Sequence, residues 1–464
     1  MPKKENGLSY IINLGGKILR IYDNRKSLCI IKLSVSLVVI NCLLSNLGIY
    51  NYRTSPALLV SSLVMIILSL VLFKKEASLD NISWLTVGVF LVIGVSYGIA
   101  GIIYRVPTYI VNGFIFVLQL PLFYLCIKQH TIEKVVFYYA KAYVILSTIL
   151  LLVCILVYPL GAGQYQGVFN NPNLTGEFLT TLSICTLYVF QRTSHSVSKT
   201  ASAILFGISF ALVIFTRSRT SILACVFILI AYVVYLIRGK EKIGKSVVAL
   251  LLSVVVAFPI TFFFLNNITP YTSATVIEIA DRSGCTLANF DNLDESEEPN
   301  NNSIKDELEA STDRLLKGIN NDSSFSSGRV QIWQAYIENI SIKPHRPDLV
   351  SFTYDGQTLK ANAHNSFLQV AYQSGILSGL LYLILYTIAG ITALITLFRY
   401  RASLEGMFAI MVLVNSVPYV LLSNTFGPYT SFSLLPFWII SVPYFLNVNN
   451  KKSNASRKDK DRLL

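Results

Sequence analysis

Apolar stretches long enough to cross a membrane, with at most a single charge each, recur along nearly the whole chain, and they constrain its fold more than any other feature. They fall at 28–48, 56–73, 82–103, 108–127, 135–158, 174–190, 201–216, 219–237, 246–265, 372–398, 404–422 and 431–448. About 20 apolar residues wound as helix cross the ~30 Å hydrocarbon core of a bilayer. In lipid every backbone amide must be satisfied internally, so only helices or a closed barrel can cross. A barrel would alternate polar and apolar residues over ~10-residue strands, and no such alternation is present. With 53% hydrophobic and only 14% charged residues among 464, the chain lacks the polar surface of a soluble domain, which carries about 25% charged residues. The expectation is an all-α polytopic membrane protein with about 12 transmembrane helices.

Charge distribution then predicts orientation. Basic residues sit in the N-terminal tail (Lys3, Lys4, Lys17, Arg20, Arg25, Lys26), in every second loop (Lys74/Lys75, Lys128/Lys134, Arg192/Lys199, Arg238 to Lys245, Arg399/Arg401) and in the C-terminal tail from Lys451 to Arg462. Cytoplasmic loops are enriched in Lys and Arg, so both termini are expected in the cytoplasm, consistent with an even number of spans. The alternate short loops hold no Lys. The long segment 266–365 carries a net charge of −7 against +20 for the rest, so the basic excess reads as topology rather than nucleic-acid binding. The expected organisation is a basic tail over 1–27 with an amphipathic stretch at Leu8 to Ile21, spans over 28–265, a large outer loop over 266–365, spans over 366–448 and a basic tail over 449–464. No cleavable signal peptide is expected. Six of seven cysteines lie in apolar runs and only Cys285 in the outer loop, so no intramolecular disulfide is expected. No spacing of Cys and His suits zinc.

The loop divides in two. Asp281 to Asp322 is acidic, Asn/Ser-rich and poor in apolar residues, the composition of a loosely ordered segment. Beyond it Ser327 is placed to cap a helix whose apolar face would be Val330, Trp333, Tyr336, Ile337 and Ile340.

Four segments on the outer side exceed what membrane packing needs. Arg217 and Arg219 place two guanidiniums in a very short turn where lipid meets water, and their planar donor forks suit phosphate; snorkelling toward headgroups is the plain alternative. Arg329 follows Ser327-Gly328 at a helix start, unfavourable for the dipole unless an anion binds there. His364 sits in Ala363-His364-Asn365-Ser366 at a membrane–loop junction, where Asn365 or Asn362 could cap the next helix and a neutral imidazole could accept a proton. Asn171-Pro172-Asn173 forms a turn with amides to spare, and Glu177 lies one turn inside the following span, where acids are costly and default to a functional reading.

In order, these segments resemble the O-antigen ligase/polymerase superfamily of bacterial polysaccharide enzymes. The likeness runs over roughly 165–400, through Gly167-Val-Phe-Asn-Asn-Pro-Asn-Leu-Thr-Gly176, Ser218-Arg219, Ser327-Gly-Arg329 with Trp333, then His364-Asn365, Leu368 and Gly375-Ile-Leu-Ser-Gly379. Where the family often has a Gly-rich stretch, this chain reads Lys343-Pro-His-Arg-Pro-Asp348. The resemblance implies a fold like the GT-C glycosyltransferases and transfer of a glycan from undecaprenyl diphosphate on the outer face, with no metal or cofactor. It implies diphosphate binding by Arg219 and Arg329, with Arg217 beside them, and a general base at His364. Asn171, Asn173, Glu177 and Asn365 are supporting candidates. Implied partners are the lipid-linked oligosaccharide, an acceptor glycan and membrane lipid, with chain-length regulator and flippase proteins as further candidates.

A polymerase of capsular, exo- or O-antigen polysaccharide is the favoured expectation, because the Lys/Asn/Ile-rich character fits a low-GC genome in which a lipid A core acceptor is absent. A ligase that moves finished glycan to a final acceptor is the alternative. A 12-span transporter or flippase is the reading from another class; it would favour internal repeats and midplane ionisable groups, whereas here those groups cluster at the outer rim.

Overall fold

A computed structural model describes residues 24–47, 57–72, 84–160, 164–169, 171–239, 243–282, 309, 329–346, 349–354, 356–399, 403–422 and 431–445. The N-terminal stretch Leu8 to Ile21, the acidic segment between 283 and 308, Cys285, and the Ser327 cap lie outside them. In chain order the helices are α1 (Asn24–Asn46), α2 (Ala57–Leu72), α3 (Trp84–Tyr104), α4 (Pro107–His130), α5 (Ile132–Val157), α6 (Pro172–Arg192), α7 (Ser196–Phe215), α8 (Arg219–Gly239), α9 (Ile243–Phe263), α10 (Thr269–Arg282) and α11 (Arg329–Asn339). A hairpin of β1 (Val350–Tyr354) and β2 (Gln357–Ala361) follows, then α12 (Ser366–Ser374), α13 (Ile376–Arg399), α14 (Leu404–Leu422) and α15 (Leu434–Phe445).

Every expected span holds a helix, but not every one has the length and composition of a crossing. Nine stretches among the described residues are long and apolar enough, and two shorter apolar helices fall in α2 and α15. The exception is α6, whose Thr, Ser and Glu residues are buried along most of its length. It packs against α5, α7, α8 and α14, so it meets protein rather than lipid and needs no apolar surface. The lipid-facing helices show the converse. On α9, Val248, Leu251, Leu252 and Val255 are 60–67% exposed, a face that only hydrocarbon can cover. The chain is a polytopic membrane protein.

Two helices depart from the expected ends. The span expected to stop at 265 continues through a π-turn at Phe264–Ile268 into α10. The hydroxyls of Thr269 and Thr272 donate to the carbonyls of Ile155 (2.5 Å) and Leu156, satisfying acceptors left open at the end of α5. The span expected over 372–398 is discontinuous: α12 and α13 meet at Gly375, which has φ +94°. A Cβ there would come within 2.5 Å of the Ile342 carbonyl, so both the backbone conformation and the approach require glycine.

That approach comes from the segment after α11, Ser341 to Arg346. Ile376 N–H donates to Ser341 O (2.9 Å), His345 N–H to Tyr372 O (3.0 Å) and the Tyr104 hydroxyl to Pro344 O (2.7 Å). The His345 ring stacks on Tyr372 at 4.6 Å. The segment is a strap across the broken helix.

The hairpin was not anticipated, and with it the burial of α11 differs from expectation. Ile332 and Tyr336 are buried in a small cluster with Val350 and Ala363, with Trp333, Phe352 and Leu368 packed against it. Val330 and Ile337, assigned to the apolar face, are 56% and 61% exposed. Spacing alone allowed either stripe; the hairpin and α12 cover one of them. Inside the bundle, Phe90, Phe116, Tyr382, Tyr386, Phe437 and Trp438 form a contiguous aromatic cluster that joins the N-terminal helices to α13 and α15.

Candidate active site

The start of α6, the α7–α8 turn, α11, the start of α12 and the end of α14 share one face of the bundle, here called the loop face. Thr216 and Arg217 close α7, with Arg217 at φ +48° and its N–H bonded to Ile214 O at 2.9 Å. Ser218 then caps α8: its Oγ accepts from Ser221 N–H (3.3 Å) and its carbonyl from Ile222 N–H (3.0 Å). Arg219 is therefore the first residue of a helix. Arg329 is the first described residue of α11. A cation at a helix N-terminus is destabilised by the macrodipole, as Arg219 is here.

The charges of the two arginines are felt directly. Burial, then the charge of Arg219, lowers the pKa of Arg329, although a guanidinium remains protonated throughout the physiological range. The next neighbour is His364. Partial burial, then the charge of Arg329, lowers its pKa below the ordinary imidazole value. Its side chain keeps access to solvent, so an imidazole biased toward its neutral form stands beside the Arg329 charge. His364 has φ +47°, a region in which His is enriched but still uncommon.

An apolar cleft of about 480 Å³ runs between α8, α13 and α14, lined by side chains that include Phe227, Ala231, Phe367, Gly390, Leu413 and Leu421. Its upper end adjoins the site. Asn365 caps α12 by accepting from Phe367 N–H (3.0 Å) and Leu368 N–H (3.1 Å), and its amide reaches Leu421 O at 3.4 Å.

Residues 204–383 match the family model described as O-Antigen ligase. Over that stretch the chain is similar to the O-antigen ligase family. The matched stretch runs from α7 into α13 and contains Arg219, Arg329 and His364. No curated protein and no solved structure matches the chain.

Outside the matched stretch, the remaining candidates are tied into the scaffold. Asn171 caps α6, accepting from Asn173 N–H (2.9 Å) and Leu174 N–H (3.3 Å). Asn173 Oδ1 accepts from Ser218 Oγ at 2.7 Å, which fastens the α6 start to the Arg219 turn. Gly176 lets the two helices touch, since a Cβ there would lie 1.9 Å from Ser221 Oγ. Glu177 is buried and engaged: its Oε1 accepts from Ser431 Oγ (2.5 Å), Ser433 N–H (2.9 Å) and Ser433 Oγ (2.6 Å). It binds the start of α15, a carboxylate at a positive helix end, and does not join the arginine–histidine group.

Several contributors were not singled out in the sequence. Ser221, Tyr419 and Thr180 link α8, α14 and α6 by hydroxyl contacts of 3.0 and 3.3 Å. Gln369 Oε1 accepts from Ala363 N–H at 3.1 Å. Polar side chains within apolar runs were the available signal, but their partners are distant in sequence.

Proposed function

We propose that this protein is a glycosyltransferase that polymerises undecaprenyl-diphosphate-linked repeat units of a capsular, exo- or O-antigen polysaccharide. The observation that supports this reading is that the charge of Arg329 acts on His364 and that of Arg219 on Arg329, near an apolar cleft whose lining includes Phe367 and Leu421. The cleft suits a polyprenyl chain, and the guanidiniums suit the diphosphate at its head. The acceptor sugar hydroxyl attacks the anomeric carbon of the donor glycan. His364 takes the hydroxyl proton, the carbon–oxygen bond to diphosphate breaks, and the electron pair leaves on diphosphate. The products are the extended glycan and undecaprenyl diphosphate. Preorganised cationic donors aimed at that developing charge are commonly worth roughly 3–4 kcal/mol each, and a placed base about 10²–10⁴ in rate.

The distribution of Lys and Arg supports twelve crossings, both tails in the cytoplasm and the loop face outside. Glycan would then be assembled on the outer face of a bacterial cytoplasmic membrane. A ligase that delivers finished glycan to a final acceptor is the second reading, favoured by the description of the matching family. Purified full-length protein incubated with lipid-diphosphate-linked oligosaccharide separates the two. A ladder of products is expected of a polymerase and a single transfer to a different acceptor of a ligase. Lipid movement with no new glycosidic bond would overturn both.

A further inference from the structure

The Ala363 peptide groups are held from two helices. Trp333 Nε1–H on α11 donates to Ala363 O at 2.9 Å, and Gln369 on α12 accepts from Ala363 N–H at 3.1 Å. Ala363 is fully buried and Gln369 nearly so. The first bond fixes the peptide plane that ends at the His364 Cα; the second fixes the plane before it. On the other side of His364, Asn365 is fixed by capping α12 and by its contact with Leu421. A left-handed residue persists where its surroundings over-determine it, and here both flanks of His364 are pinned. Trp333 also stands four residues after Arg329 on the same helix, so the two side chains share a face.

We propose that Trp333 and Gln369 are positioning residues, which hold the His364 backbone in its left-handed conformation and lock the imidazole in register with the helix that begins at Arg329. The inference rests on the reading of His364 as the base. It adds that donor contact at Arg329 and base placement are borne by one rigid element. Tyr336, whose hydroxyl donates to Ala361 O at 3.3 Å, already secures the hairpin on α11. The indole N–H is therefore free to serve the His364 junction.

The test uses full-length protein and lipid-linked repeat units extracted from a strain deleted for this gene. Trp333→Phe keeps the ring and removes the N–H; Gln369→Met keeps the shape and removes the acceptor. Each is expected to lower kcat about tenfold or more, since small misplacements of a reacting group cost up to about a hundredfold, with KM for the donor unchanged. In a His364→Gln background, Trp333→Phe should cost nothing further, because residues acting through one group are non-additive. An equal cost in that background, a raised KM with unchanged kcat, or full kcat in both variants overturns the inference. If Trp333→Phe fails to accumulate, Gln369→Met carries the same comparison. A near wild-type His364→Gln would instead sink the base assignment itself.

Discussion

At the residue scale the decisive property is charge held where solvation is poor. Arg219 faces an unfavourable helix end and its charge acts on Arg329, an arrangement that costs energy until an anion arrives. Only a neutral imidazole accepts a proton, so transfer should be lost as pH falls through the His364 pKa. Burial and Arg329 lower that pKa, so the loss should set in below the pH expected of a free imidazole. Arg329→Met removes one of the two causes. The acid limb of its residual kcat/KM profile should move to higher pH, and kcat/KM itself should fall by about two orders of magnitude. An unshifted limb would detach Arg329 from the base. Glu177 belongs to a different account. Glu177→Leu leaves the Ser431 and Ser433 donors stranded in a buried site, at a cost of about 2–5 kcal/mol. A lowered thermal transition in detergent checks this. Unchanged stability with lost activity would return Glu177 to the chemistry.

Among the elements, the informative ones are those that break a simple helical period. The chain turns at Gly375 between α12 and α13, and discontinuous helices in membranes commonly present their ends to ligands. Gly375→Ala forces a side chain against the Ile342 carbonyl at a φ of +94°. It should reduce folded yield and loosen the strap that Ser341 to Arg346 lays over the break, read as faster limited proteolysis after α11. Gly176→Leu separates α6 from α8 and should prevent stable accumulation, whereas Gly390→Ala, where a Cβ meets nothing within 4 Å, should be silent. The hairpin is too small to be stable alone; Val350, Phe352 and Ala361 hold it by packing on α11 and α12.

For the whole molecule, the relation that matters is between the charged rim and the cleft below it. A polyprenyl diphosphate has the same two-part design, an apolar tail under a dianionic head. Gly390→Trp fills the cleft from α13 without touching the rim. It should raise KM for a long-chain polyprenyl donor more than tenfold while a short-chain prenyl donor is spared, measured with both donors on one preparation. Equal effects on the two donors would move the tail elsewhere.

By itself the sequence determined that the chain lies in a membrane and, apart from some of their ends, where its helices run. Those properties follow from composition and short-range period, because lipid permits few alternatives to the helix. The order of Arg219, Arg329 and His364 was legible as a family resemblance. Only the tertiary structure decided that these three come together, that Glu177 is spent on α15, that α6 is wrapped by protein, and that Ile332 rather than Val330 is buried on α11. Each of these depends on which surfaces meet across long stretches of chain. A helical period fixes the residues that share a stripe, but the partner helix decides which stripe is covered.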